Sequence, residues 1–135
     1  MKQTEVAVPE EITREIENFG VQVARFKNKE IPEEKFKRFR LQYGIYGQRQ
    51  KGVQMVRVKI PSGLLNARKL RCLADIAEKY TTGIGHVTTR QDVQFHYVDL
   101  DHVTTIMTRL AEAGLTTREA CGNTVRNVTA CQHAG

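Results

Sequence analysis

Three features that commonly place a protein in or beyond a membrane are missing from this sequence. No apolar run reaches the roughly 18 residues that a membrane-spanning helix requires. The N-terminal segment Met1–Glu5 lacks the apolar core of a secretory signal. The 3 cysteines, Cys72, Cys121 and Cys131, have spacings that fit neither a disulfide framework nor a zinc site. We therefore expect a cytoplasmic protein with reduced thiols and no membrane association.

Sequence patterns for nucleotide and metal binding are also missing. Gly83-Ile84-Gly85 follows a predicted helix and lacks the third glycine of a dinucleotide-binding turn, and there is no G-x-x-x-x-G-K phosphate loop. The 4 histidines are not spaced as a metal-ligand set: His86, His96, His102 and His133. The sequence thus predicts no metal site of its own.

Length and charge are the next constraints. At 135 residues the chain has the size of a single domain with a real core. Its net charge of +6 is concentrated in the middle, where residues 25–71 contain fourteen lysines and arginines and three glutamates. A basic segment of this kind favours an anionic partner, which could be a polyanionic cofactor, an acidic protein or a nucleic acid. The plain alternative is a charged surface that only contacts water.

Helical periodicity dominates the first fifty residues. Apolar residues recur with helical spacing in 9–20 and again in 32–44, and each segment begins with proline and ends with glycine. Residues 43–48 are predicted to form a loop. We interpret residues 1–50 as a short helical N-terminal extension.

An alternating pattern begins at residue 53 and predicts a different architecture. A strand at 53–60 is followed by a helix that Asn66 caps and that ends near residue 80, with the buried stripe Leu70, Leu73, Ala74 and Ala77. Strands are then predicted at 84–89 and 93–98, and a helix after Asp99 or Asp101 has Val103, Ile106, Met107 and Leu110 on one side. A weak strand is predicted at 124–129.

This order of elements predicts an α+β, ferredoxin-like split βαβ fold, in which an antiparallel sheet carries its helices on one face. We assign residues 51–120 to this unit and 121–135 to the beginning of a linker or following domain. The uncovered sheet face should present polar side chains, with Arg57, Lys59, Gln94 and His96 as candidates. Strand parity alone does not identify that face.

Two stretches place a single arginine among small polar residues. Arg90 lies in Thr88-Thr89-Arg90-Gln91, and Arg126 lies in Cys121-Gly122-Asn123-Thr124-Val125-Arg126-Asn127. An arginine held by a turn or strand can direct its guanidinium at an anion, so two of them suggest one anionic ligand. The alternative is a surface salt bridge to a carboxylate such as Asp92 or Glu119.

The sequence segments around these arginines resemble those of the nitrite and sulfite reductase family, which uses siroheme and a 4Fe–4S cluster. The resemblance is specifically to the N-terminal ferredoxin-like half domain of that family. The resemblance covers roughly residues 39–135 in six blocks that keep their order. The blocks begin at Leu41-Gln42-Tyr43-Gly44, Met55-Val56-Arg57-Val58, Leu73-Ala74-Asp75, Thr88-Thr89-Arg90-Gln91, Glu112-Ala113-Gly114-Leu115 and Ala120-Cys121-Gly122-Asn123.

The resemblance implies roles for individual residues. It implies that Arg90 and Arg126 are catalytic, with Arg90 contacting siroheme carboxylates or the bound anion and Arg126 holding nitrite or sulfite. Further cofactor-binding candidates are Gln91, Asn127, Arg49, Arg57 and His96, and Lys51 is a weaker candidate. The implied activity is the six-electron reduction of nitrite to ammonia or of sulfite to sulfide.

The resemblance also implies what this chain lacks. The cysteines that hold the cluster and the siroheme iron, and two substrate lysines, belong to the downstream siroheme-binding domain of the family. Only 3 cysteines are present here, whereas a cluster requires four thiolates. We therefore expect a fragment or one piece of a larger enzyme, inactive alone, with ferredoxin or a flavoprotein as electron donor.

Two other functions stay open at this point. A nucleic-acid-binding module could share this topology, with Phe36, Phe39, Tyr43 and Tyr46 interleaved in the basic segment, although 93–97 lacks the stacking aromatics of an RNA-binding strand. An electron-carrier docking module would use the basic surface to receive an acidic protein without catalysis.

Overall fold

Two amphipathic helices begin the fold in the computed structural model, which describes residues 7–120 and 125–133. Helices α1 (Glu10–Lys27) and α2 (Glu33–Gln42) each follow a proline. Their apolar sides meet in an aromatic cluster, where Phe19 stacks on Phe39 at 5.5 Å and Phe26 on Phe36 at 4.4 Å between ring centroids.

The predicted end of the first helix at Gly20 is wrong. Helix α1 continues to Lys27 because the buried stripe of Ile16 and Phe19 is extended by Val23. Gly20 lies where α1 crosses a later helix, and a Cβ built there would lie 3.5 Å from Thr104. The glycine thus serves helix packing and does not terminate the helix.

The sheet has four antiparallel strands. They are β1 (Ile45–Gly47), β2 (Val53–Val58), β3 (Gly85–Val87) and β4 (Val93–Asp99), arranged in the order β1-β2-β4-β3. The prediction of a loop at 43–48 is wrong for Ile45–Gly47, because Ile45 pairs with Val56 and is fully buried. A three-residue strand is too short to show an alternating pattern.

The last strand predicted from the sequence is not observed. We expected a strand at 124–129, but its described part, 125–129, contains no strand. Strand β1 occupies the edge of the sheet next to β2, and in its described part the chain after α4 adds a single bridge, between Lys59 and Thr116.

Helices α3 (Ala67–Tyr80) and α4 (Val103–Glu112) pack against one sheet face. That face contributes Val56, Val58, Phe95 and Val98 to the core. The predicted cap is confirmed, since the Asn66 side chain accepts a hydrogen bond from the Lys69 backbone N at 2.9 Å. The predicted stripe of α4 is confirmed by the burial of Val103, Ile106, Met107 and Leu110.

The predicted stripe of α3 was partly wrong. Leu73 and Ala77 are buried together with Ile76, whereas Ala74 is exposed and Leu70 is 58% exposed. The helix is rotated so that Ile76 faces the core. Two overlapping apolar stripes run along α3, and helical periodicity alone does not determine which of them is buried.

All four helices share one hydrophobic core with the sheet. This core includes Phe19 of α1, Phe36 of α2 and Val103 of α4, so it runs across residue 50. The division of the chain at residues 50 and 120 stays a prediction. Among the residues described, no helix is long and apolar enough to cross a membrane.

Candidate functional site

A row of polar side chains crosses the sheet face opposite α3 and α4. Arg57 of β2 lies directly across from Gln94 of β4. With the Gln94 amide oriented so that its oxygen faces the guanidinium, it accepts a hydrogen bond from Arg57 Nε at 2.9 Å. Arg57 Cζ lies 5.7 Å from the centre of the Tyr46 ring, and Arg57 Nη1 donates to the Ala120 carbonyl at 3.3 Å. Arg57 is therefore held by contacts on three sides.

Two histidines extend this row toward the other sheet edge. His86 of β3 lies opposite Gln94, and its ring is 4.9 Å from that of His96 in an edge-to-face arrangement. Burial first, and then the proximity of His86, lower the pKa of His96. The His96 imidazole consequently stays neutral to lower pH than an ordinary histidine does.

A tight turn presents Arg90 just before β4. Thr88 Oγ1 accepts hydrogen bonds from the backbone N of Arg90 at 3.3 Å and of Asp92 at 3.1 Å. Gln91 completes the turn with a positive φ of 64°. The exposed Arg90 side chain donates from Nη2 to the Asn127 carbonyl at 3.2 Å. Arg90 is thus tied to the segment that carries Arg126.

The segment Val125–Cys131 lies against the end of the sheet. Asn127 is 4% exposed, and its Nδ2 donates to the carbonyls of Ile60 at 2.7 Å and Arg90 at 3.0 Å. Beside it, the Val128 carbonyl accepts a hydrogen bond from the Ser62 backbone N at 2.7 Å. These contacts bring Arg126 to the same end of the sheet as Arg90.

A buried carboxylate lies behind these cations. Asp92 is 2% exposed, and its Oδ1 accepts a hydrogen bond from the Ile60 backbone N at 3.1 Å. Burial raises the pKa of Asp92, and this effect is opposed by the Ile60 hydrogen bond and by the charges of Arg57, Arg126 and Lys59. The charges of these three cations therefore all act on the Asp92 carboxyl group.

The salt-bridge alternative for the two arginines is not what the described residues show. Asp92 is turned inward to a backbone amide, and Glu119 forms an ion pair with Lys59 at 3.8 Å. Neither Arg90 nor Arg126 forms an ion pair in the part of the chain that the structure describes.

Some predicted site residues lie elsewhere. Arg49 and Lys51 are in the turn between β1 and β2, at the opposite end of β2 from Asp92. Six residues of strand separate the two ends by about 20 Å. Arg49 and Lys51 instead line a separate cavity of about 790 Å³ together with Arg40.

No group of three or more potential metal ligands occurs within residues 7–120 and 125–133. Cys131 is exposed, and Cys72 on α3 is half-buried, where its thiol donates to the Arg109 carbonyl at 3.4 Å. Burial raises the pKa of Cys72. Cys121 lies outside the described residues.

The aromatic residues proposed for nucleic-acid stacking are occupied within the fold. Phe36 is 2% exposed, and Phe39 and Tyr43 pack on Phe19 at centroid distances of 5.5 and 5.3 Å. Tyr46 is half-buried beneath Arg57. This packing removes the main observation in favour of a nucleic-acid-binding module.

Sequence reasoning missed three members of the site. Tyr46 was assigned to a loop, and Asp92 was expected at the surface. His86 was left without a role, although its position in a predicted strand next to β4 could have placed it on the same face as His96 once the pairing of the strands was known.

Comparison with known proteins gives a consistent picture. The family description "Nitrite/Sulfite reductase ferredoxin-like half domain" matches residues 46–113. This range contains Arg57, Arg90 and His96 but ends before Arg126.

Individual relatives match over a longer part of the chain. The assimilatory ferredoxin-dependent nitrite reductase of Haloferax mediterranei is 36% identical over 121 residues, which cover 78% of this chain and 20% of the relative. A ferredoxin sulfite reductase of Mycobacterium tuberculosis is 33% identical over 110 residues, covering 69% and 20%. The structure of the Mycobacterium tuberculosis NirA protein superposes with a TM-score of 0.72 at 30% identity, covering 78% of this chain and 22% of that one. The chain spans about a fifth of the length of these relatives.

Proposed function

The chain belongs to the nitrite/sulfite reductase family through its ferredoxin-like half domain, and from this premise we propose that it forms part of an enzyme that reduces nitrite to ammonia or sulfite to sulfide. In this proposal the chain contributes the arginines that bind the anionic substrate and the cofactor. The six electrons come from a separate donor. Two relatives are named as ferredoxin enzymes, which supports ferredoxin as that donor, with a flavoprotein as the alternative.

The observation that carries the proposal is the convergence of cations at one end of the sheet. The positive charges of Arg57, Lys59 and Arg126 all favour the ionised form of the buried Asp92. Arg90 donates a hydrogen bond to the backbone carbonyl of Asn127, the residue next to Arg126. Guanidinium groups bind oxyanions through charge-assisted hydrogen bonds and do not lose their charge when protons are consumed nearby. The site can therefore hold an oxyanion and stabilise the negative charge on an oxygen that leaves as water.

The same residues fit the cofactor that the family implies. Siroheme is planar and carries many carboxylates, so it requires an open face and several cations. The sheet face offers the row of Tyr46, Arg57 and Gln94, with His96 beside it and the exposed Arg90 and Arg126 at its end. When bound, siroheme and the 4Fe–4S cluster supply the electron chemistry, while the protein supplies position and electric field.

In this assignment each residue acts on bound anionic groups. Arg90 and Arg126 bind and orient the substrate or the cofactor carboxylates, while Arg57 and His96 hold the cofactor from the sheet face. The iron and cluster ligands are provided by the siroheme-binding domain of the complete enzyme. A cytoplasmic location stays a prediction.

The test uses the native enzyme that contains this chain, purified with its cofactors. Replacing Arg126 with alanine should lower turnover of nitrite or sulfite by about 10²–10³-fold, the usual effect of losing one preorganised donor to a developing oxyanion. The absorbance of siroheme and the cluster should remain. Arg38→Ala, an exposed arginine on α2, is the matched control and should leave turnover unchanged. A colourless enzyme, or an Arg126→Ala variant with full turnover, would contradict the proposal.

A further inference from the structure

The Gln91 side chain forms two hydrogen bonds with the backbone of the segment that contains Arg126. Its Nε2 donates to the Ala130 carbonyl at 2.6 Å, and its Oε1 accepts from the Ala130 backbone N at 3.0 Å. This two-point contact reproduces with one side chain the pair of hydrogen bonds that two antiparallel strands exchange. Gly63 leaves the room for it, since a Cβ at Gly63 would lie 3.0 Å from Gln91 Oε1.

Asn127 fastens the same segment at a second point. Its side-chain Nδ2 donates to the backbone carbonyls of Ile60 and Arg90. Its backbone carbonyl accepts a hydrogen bond from the Arg90 guanidinium. Asn127 and Arg90 are therefore joined by hydrogen bonds in both directions. Removing either amide would free one end of the segment.

The direction of the neighbouring side chains follows from this burial. Asn127 is 4% exposed and points into the protein, whereas Arg126 is exposed and Val128 is 68% exposed. With Asn127 directed inward, the adjacent Arg126 is held outward on a fixed backbone. The side-chain amides of Gln91 and Asn127 are directed at backbone groups, which are those of Ala130 for Gln91 and those of Ile60 and Arg90 for Asn127.

We propose that Gln91 and Asn127 are positioning residues, which clamp the segment Val125–Cys131 across the end of the sheet and so hold Arg126 beside Arg90. This inference rests on the proposed function only for what the arginines bind. It replaces the expectation that these two residues contact the cofactor.

The first experiment tests the clamp without any ligand. Hydrogen exchange is measured on the 135-residue chain for the Ala130 and Ser62 backbone amides, with the amides of β2 and β4 as an internal measure of global folding. In Gln91→Met, which keeps the side-chain length but loses the hydrogen bonds, exchange at Ala130 should be about tenfold faster, and strand amides should be unchanged. Gln132→Met is the matched control, because Gln132 is exposed and directly follows the segment. Unchanged exchange at Ala130 would overturn the clamp.

The second experiment asks whether Gln91 acts through Arg126. Sulfite is titrated into the wild-type chain, Gln91→Met, Arg126→Ala and the double variant, and binding is followed through the arginine Nε resonances of Arg90. Gln91→Met should weaken binding about tenfold in the wild-type background and should have no further effect once Arg126 is absent. Equal effects in both backgrounds would mean that Gln91 contacts the anion itself, which overturns the positioning role. If sulfite does not bind the wild-type chain, the arginines of this chain do not form an anion site without the siroheme-binding domain, and hydrogen exchange alone decides the clamp.

Discussion

Replacing Asp92 separates the two things that this buried residue does, which are to accept a hydrogen bond and to carry a charge. The Asp92 carboxylate is 2% exposed, and its Oδ1 accepts from the Ile60 backbone N at 3.1 Å. Asparagine keeps an oxygen at this position and removes the charge, whereas alanine removes both. We expect Asp92→Ala to destabilise the chain by about 1–3 kcal/mol, because it leaves a buried N–H without a partner.

The asparagine variant should behave differently, and the sign follows from the pKa. Burial raises the folded-state pKa of Asp92 above its ordinary value of 3.8. The folded chain therefore holds this proton more tightly than the unfolded chain does. The stability contributed by Asp92 is full below pH 3.8 and is lost as the pH rises through the folded pKa. Asp92→Asn has no charge to bury, so its stability relative to the wild type should increase between about pH 4 and neutrality.

Thermal unfolding followed by circular dichroism from pH 3 to 8 provides the assay. For a chain of this size 1 kcal/mol corresponds to about 3–5 °C in Tm, so the alanine variant should lose about 3–15 °C at pH 7. Asp75→Asn, at an exposed position on α3, controls for the general effect of removing a carboxylate. If Asp92→Asn at pH 7 is as unstable as Asp92→Ala, the attraction of Asp92 to the three cations outweighs its desolvation and the reasoning is refuted.

Two further predictions concern the backbone before β1 and the histidine pair. Gly44→Ala should destabilise the chain by more than about 3 kcal/mol, since Gly44 has a φ of +72° and a new Cβ would lie 2.4 Å from the Thr117 carbonyl oxygen. Gly52→Ala is its control in denaturant unfolding, because Gly52 has a similar φ of +84° but open space around it, and equal losses would show that φ strain dominates. His86→Ala should raise the pKa of His96, measured by NMR titration, but leave it below the ordinary 6.5, because burial is the larger cause of the lowered pKa. An unchanged value would contradict the influence of His86.

The parts of the fold that were predictable from sequence are those with a repeated pattern. The spacing of Val103, Ile106 and Leu110 fixed the buried side of α4, and Asn66 marked the beginning of α3. Strand β1 has three residues and no pattern of its own, since the pairing of Ile45 with the distant Val56 makes it a strand. Gly20 was misread for a related reason, because its role depends on the packing of α1 against α4.

The same division applies to the site. Local residue patterns singled out Arg90 and Arg126, but the contacts that bring them together join residues 37 positions apart, as between Arg90 and Asn127. The inward direction of Asp92 depends on the Ile60 amide, 32 positions away. Conversely, Arg49 lies in the same basic segment as Arg57 but at the other end of β2, which net charge along the sequence does not distinguish.

The balance of charge at the end of the sheet indicates what kind of ligand the site requires. Lys59 has Glu119 at 3.8 Å, and Asp92 is the one buried carboxylate among residues 7–120 and 125–133. Because burial raises the pKa of Asp92, its side chain is less readily ionised and compensates the charges of Arg57 and Arg126 less well. A single small anion such as nitrite would compensate the charge of only one of Arg57, Arg90 and Arg126. A ligand that carries several carboxylates together with a small oxyanion would compensate all of them, and the siroheme and the nitrite or sulfite of the proposed function are such a combination.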